Sequence, residues 1–201
     1  MNYSLETRCA AAMLVCLPAI AVAQATSGTL LPPAQQVTAA VAAAPAELRD
    51  GAAVLGYREK GKLVTLREGK NDMVCLAPDP ARKDFHVACY HKALEPFMAR
   101  GRSLRAEGVK GTQVDTVRFK EIKSGALKMP STPSALYTLT GSPTSYDAAA
   151  NKVTDARWLY VVYIPGATTA STGITEKAAK GVPWIMYPGT PKAHIMFVPS
   201  M

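Results

Sequence analysis

Motifs that announce chemistry are missing from this 201-residue chain. No G-x-S-x-G elbow occurs: Ser103 stands in G-R-S-L-R within a helical pattern, and Ser142 and Ser171 fall in loops. There is no G-x-x-x-x-G-K to hold a nucleotide phosphate, and the 14 glycines compose no dinucleotide fingerprint. An apolar run of bilayer length is also lacking, because the stretch from Cys9 to Ala23 falls short of the roughly 20 residues a spanning helix needs. Histidine is scarce, at three residues, and aromatic rings are not interleaved with the basic side chains, so a stacking platform for nucleic acid is not expected. Paired carboxylates are equally thin. Asp79 and Asp84 flank Pro80 as turn formers do, and Glu95 sits where a helix start favours a negative charge.

What is present first concerns export. Glu6 offsets Arg8 in a weakly basic start, the apolar run follows, and Ala21-Val22-Ala23 supplies a small-x-small cleavage pattern. Residues 1–23 are therefore expected to be a signal peptide cut after Ala23, the alternative being an uncleaved anchor. Cys16 does not read as a lipoprotein site, since Val15 precedes it and the apolar run continues past it. Cleavage removes two of the four cysteines and leaves Cys75 and Cys89 to meet in an oxidising compartment, periplasmic or extracellular. No transmembrane segment would remain. Lys and Arg number 23 against 15 Asp and Glu, a formal charge of +8 that suits an anionic envelope component or a small anionic ligand, and that is also ordinary for an exported protein.

Residues 24–44 are rich in alanine and proline and nearly uncharged. Pro33 suits the start of a short helix through Gln35, Val37 and Val41, yet so few large apolar groups argue for a mobile tether. A single domain is expected over 45–201. Its apolar runs at Ala52–Tyr57, Leu63–Leu66, Val74–Ala77 and Phe85–Tyr90 alternate with polar turns and predict four strands in meander order. With Cys75 opposite Cys89, Ala77 faces Val87 and Met73 faces His91, which brings the sulfurs within bonding reach. After His91 the period lengthens: Leu94, Phe97, Met98, Gly101 and Leu104 predict one helix, and Val114, Val117, Glu121 and Ile122 a second that Gly125 would end. Ala135–Thr140 is a strand, 141–155 a long polar loop, and RWLYVVYI from Arg157 to Ile164 a central strand covered on both faces. Trp184–Tyr187 and His194–Val198 make a last hairpin. The expected class is α+β: an antiparallel sheet of about seven strands, two helices packed on one face, and one disulfide.

Candidate sites follow from the titratable residues. His194 leaves the Pro-Gly-Thr-Pro turn on the face of Met196 and Val198, at a core edge, where a general base would need a nucleophile beside it. Arg102 and Arg105, three apart on one helix, suit a phosphate or carboxylate, or simply a solvated face. His86 and His91 tempt a metal assignment, but an odd spacing sends them to opposite faces of a strand, and Cys89 belongs to the disulfide. The loop from Pro165 to Pro183 is long enough to act as a lid.

LREGKNDMVCL from Leu66 to Leu76, followed by Cys89 and by AHIMFV from Ala193 to Val198, resembles a group of exported bacterial proteins of unassigned function. That resemblance implies secretion and the Cys75–Cys89 link; it implies no activity, and the group lacks counterparts of His86 and His91. The function expected is non-enzymatic binding of a small ligand or an envelope component, with no cofactor. The alternatives are a hydrolase built on His194 with the 165–183 loop as lid, or a metal-binding protein using His86 and His91.

Overall fold

A computed structural model describes residues 29–199, so the expected signal peptide lies outside the described residues. Strands β3 (Met73–Leu76) and β4 (Phe85–His91) form the hairpin that the cysteine spacing requires. Met73 faces His91, Cys75 faces Cys89, and the two sulfurs are bonded across a separation of 14 residues. Alternation sends Cys75, Val87 and Cys89 to one core cluster and Val74, Leu76 and Tyr90 to another on the opposite face.

Around this hairpin stand β1 (Ala53–Glu59), β2 (Lys62–Arg67), β5 (Ser134–Gly141), β8 (Ala156–Tyr163), β9 (Trp184–Met186) and β10 (His194–Phe197). Together they make one eight-stranded sheet in the order β2-β1-β3-β4-β5-β8-β10-β9, antiparallel at every junction but one. The class is α+β. The first four strands do not follow the expected meander, because β3 runs parallel to β1, with Val54 beside Cys75, instead of pairing with β2. Segment 68–72 explains the difference. The amides of Lys70 and Asn71 donate to the carbonyl of Gly51 at 2.6 and 3.0 Å, and Asn71 Nδ2 donates to Leu48 O at 2.8 Å. The chain is thereby folded back across the start of β1. Part of 141–155, read as loop, forms a small hairpin, β6 (Tyr146–Asp147) and β7 (Lys152–Val153), whose buried Tyr146 stacks on Phe85 at 6.3 Å.

Helices α2 (Glu95–Ala106) and α3 (Gln113–Lys123) pack on one face and enclose Tyr90, Leu94, Phe97, Leu127, Val161 and Tyr163. Gly125, at φ 79°, ends α3 as the sequence predicts. Arg100 locks the two helices by donating to both carboxylate oxygens of Glu121 at 2.8–3.0 Å.

The opposite face carries α1 (Pro33–Val41), drawn from the segment expected to be a tether. Ala39, Ala40, Ala43 and Ala44 are fully buried against Val54, Cys75, Val87 and Cys89. Each alanine removes little area from water, which is why composition argued for a mobile arm. Small side chains also let a helix axis approach a sheet closely, and the dispersion contacts then accumulate. Gln36 completes the joint: Nε2 donates to the carbonyls of Leu31 and Tyr57, both at 2.7 Å, and Oε1 accepts the Tyr57 amide at 2.8 Å. Its carboxamide satisfies Tyr57 as a neighbouring strand would. Gly56 leaves the necessary room, since a Cβ there would fall 2.6 Å from Gln36 Oε1. Among the described residues no helix is long and apolar enough to cross a membrane.

Candidate functional site

His194 opens β10 with its ring buried, 5.0 Å from the ring of Tyr163 and 5.7 Å from that of Tyr187. Its Nδ1 lies 2.7 Å from the carbonyl oxygen of Lys192, which can only accept, so Nδ1 carries the proton. Burial lowers the imidazole pKa, and the Lys192 carbonyl opposes that shift in part. A hydrolytic base would need a nucleophile on Nε2, and among the described residues no hydroxyl or thiol is hydrogen-bonded to that nitrogen. Close by, Lys192 Nζ donates to Asp115 Oδ2 at 2.8 Å and lies 4.2 Å over the Tyr187 ring. The other Asp115 oxygen accepts from buried Arg118, whose guanidinium stacks 3.6 Å above Phe97. Burial works against the Asp115 charge, but the hydrogen bonds from Lys192 and Arg118 hold its pKa below the ordinary value. These contacts tie the 187–193 turn to α3.

The 165–183 segment runs along the sheet edge and is pinned at both ends. Gly166 donates to Thr190 O at 2.9 Å, Gly189 to Ala167 O at 2.7 Å and Ile185 to Thr175 O at 2.8 Å. Between them, α4 (Thr169–Thr172) is closed by a Thr168–Ser171 capping box.

The remaining sequence candidates are dispersed. Arg102 pairs with Glu95 and donates to the Tyr90 hydroxyl at 3.0 Å, whereas exposed Arg105 turns back to Gly101 O at 2.9 Å, so the two do not converge on one anion. His86 and His91 occupy the two ends of β4 and its two faces. His86 Nδ1 meets Thr140 Oγ1 at 2.8 Å, with its pKa lowered chiefly by burial; His91 Nδ1 accepts from the Ala93 amide at 3.2 Å. Among the described residues no group of three or more His, Cys, Asp or Glu is placed to hold a metal ion. Asp79 caps its own turn at Ala81 N and Asp84 pairs with Arg82 at 2.8 Å.

A site that the sequence reading missed lies on the sheet itself. Helix α1 rests over β1, β3 and β4. Beyond it, on the same face, Tyr137 of β5, Trp158, Tyr160 and Val162 of β8, and Ile195 and Phe197 of β10 are only half-buried. The expectation that RWLYVVYI is covered on both faces therefore fails: helices cover the side of Val161 and Tyr163 alone. Four of the rings form one connected array, with Trp158–Tyr160 at 5.6 Å, Tyr137–Tyr160 at 5.9 Å and Tyr160–Phe197 at 6.3 Å between centroids. At the foot of α1, Val41, Leu139, Val153 and Trp158 floor a cleft of ≈450 Å³ whose rim carries both signs of charge. A smaller hollow of ≈190 Å³ borders Trp158 as well, lined by Arg157, Lys180, Val198 and Pro199.

No family model, curated protein or solved structure matches the chain.

The ring array offers apolar faces together with polar tips. The hydroxyls of Tyr137 and Tyr160 and the indole N–H of Trp158 make no hydrogen bond within the described residues, and none of them is sealed from solvent. Such a surface is complementary in chemistry to a molecule that is apolar on its faces and polar at its edges. The two-residue spacing of Trp158 and Tyr160 was a legible hint. Their neighbours Tyr137 and Phe197 come from strands that only the three-dimensional pairing brings alongside.

Proposed function

We propose that this chain is a non-enzymatic binding domain, exported by a bacterium into its envelope, that holds its ligand on the open aromatic half of the sheet. The observation that carries this reading is the connected, half-exposed array of Tyr137, Trp158, Tyr160 and Phe197, contributed by three adjacent strands and left uncovered by the helices. An apolar surface of this kind, set beside a cleft of ≈450 Å³, has the character of a recognition surface. Three things support export: the leader-like N-terminus, the resemblance of Leu66–Leu76 and Ala193–Val198 to segments of secreted bacterial proteins, and the disulfide, which belongs to oxidising compartments.

The test uses the secreted chain carrying Trp184→Phe, so that Trp158 is the fluorophore of interest, titrated with solubilised envelope polysaccharide fractions. Binding should shift the Trp158 emission and should be lost in Tyr160→Ala, while Arg105→Ala on the helical side binds normally. Ligand-induced NMR shifts confined to the His194 turn, with the aromatic face unmoved, would overturn the proposal.

A further inference from the structure

We infer that the opposite face of the sheet carries a second site, a hollow that takes a small carboxylate with an apolar body, its charged end held by Arg157 and Thr138. The inference goes beyond the aromatic face and does not rest on it.

Alternation along β8 sends Arg157 and Leu159 away from Trp158 and Tyr160, to the side of α2 and α3. Register assembles their neighbours. Thr140 stands opposite Arg157, Thr138 opposite Leu159, and Trp184 opposite Met196. These six side chains line a hollow of ≈290 Å³ to which neither helix contributes a residue. Ligand pockets run from about 300 to 1,000 Å³, so this one suits a single ring or a short chain and is too small for a polymer segment.

Thr138 is the residue that points to a ligand. It is 8% exposed, yet its hydroxyl makes no hydrogen bond among the described residues and is not sealed from solvent, so its opening is into the hollow. The hydroxyl of Thr140, by contrast, is engaged by His86 Nδ1 at 2.8 Å. Buried hydroxyls are ordinarily partnered, and an idle one facing a hollow can donate to an oxygen that enters it.

Arg157 supplies the charge. It is diagonal to Thr138 across the β5–β8 ladder, a separation of about 7–8 Å that a long side chain spans. Exposed Arg157 belongs to no ion pair among the described residues, and no carboxylate lines the hollow. In the helical layer, Arg100, Arg102 and Arg118 are each matched to an acid on α2 or α3. Lys180 shares the adjoining ≈190 Å³ hollow with Arg157 and adds positive potential beside it. A guanidinium fork and one hydroxyl donor match the two oxygens of a carboxylate. Half-buried Leu159, Met196 and Trp184 form the rest of the lining and require an apolar body behind that carboxylate.

The probes are 3-phenylpropionate, its neutral amide and acetate, titrated into the disulfide-bonded protein by calorimetry, with NMR locating the contact. The acid should shift the Leu159 and Met196 methyls and the Trp184 indole N–H, and bind about fivefold more tightly than the amide at low salt, as one exposed ion pair allows. Arg157→Gln should close that gap. Thr138→Val, which keeps the shape, should weaken the acid about fivefold through the lost hydrogen bond, while Arg105→Ala on α2 changes nothing. Equal affinity for acid and amide, or a gap that survives Arg157→Gln, overturns the inference. So does acetate binding as tightly as the acid, because the hollow would then read charge alone. Shifts confined to Trp158, Tyr160 and Phe197 also overturn it and leave the aromatic face standing; no shift at any of these residues at millimolar acid overturns it as well.

Discussion

Replacing Gln36 with methionine isolates the joint between α1 and the sheet. The carboxamide makes three hydrogen bonds to backbone groups of Leu31 and Tyr57, and the residue is 1% exposed. Methionine has nearly the same length and volume, so the substitution removes the bonds without opening a cavity. At about 1 kcal/mol for each bond, the loss should be about 3 kcal/mol, with the stranded Tyr57 amide setting most of it. Domains of this size are stable by roughly 5–15 kcal/mol, so the midpoint of urea unfolding should fall visibly. Gln35→Met is the control, one position away and half-buried, where the carboxamide makes a single longer bond of 3.3 Å to Ala148 O. It should cost no more than about 1 kcal/mol. Hydrogen exchange at the Tyr57 amide should quicken before that of β4. A Gln36→Met protein as stable as the Gln35→Met control would refute the reasoning and return residues 33–44 to the status of a mobile arm.

Reducing the Cys75–Cys89 bond should lower stability by about 3 kcal/mol, the chain-entropy value for closing a loop of about 15 residues, as read from urea midpoints with and without a phosphine reductant; unchanged midpoints would contradict it. Asp115→Asn should destabilise by about 3 kcal/mol because it leaves Arg118, 4% exposed, as an uncompensated buried charge, and the further change Arg118→Met should restore most of the loss. Should the double variant unfold as readily as the single one, the ion pair is not the cause. His86 and His194 both have pKa values lowered from 6.5, in each case chiefly by burial. The unfolded chain therefore binds more protons than the folded one just below that pH, so stability should fall as pH drops through 6.5 and be fully present above it. Urea midpoints between about pH 5 and 7.5 measure this, and His86→Gln/His194→Gln should flatten the curve. Finally, cleavage of the proposed leader should leave a protein that begins at Gln24 by mass spectrometry; an intact Met1 would remove the leader from the case for export.

The legible parts of this fold are those fixed by short-range periodicity. The register of β3 and β4 follows from two cysteines and a two-residue alternation, and α2 and α3 follow from the spacing of Leu94, Phe97, Leu104 and Val114. The parallel pairing of β1 with β3 was not legible, because it depends on Asn71 reaching Leu48, a contact 23 residues apart. Helix α1 was hidden by its own alanines: hydropathy credits them with little, and their value lies in close approach to a surface the sequence does not display. The aromatic array stayed hidden for a related reason. A run such as RWLYVVYI signals apolar surroundings on both sides of a strand, yet it cannot say whether a helix or a ligand provides them. His194 and Arg102 drew attention as isolated chemical groups, and their neighbours proved to be a carbonyl and a carboxylate within the fold.

Both cysteines of the crosslink are 0% exposed, and Ala40 of α1 lies directly over them, its carbonyl oxygen 3.3 Å from Cys89 Sγ. An attacking thiolate must approach a sulfur along the bond axis, and here the way in is blocked until the helix lifts. The speed of thiol exchange under native conditions is therefore a clock for how often the N-terminal helix leaves its seat. Carried from oxidising into reducing surroundings, the link would be slow to break once that door has shut.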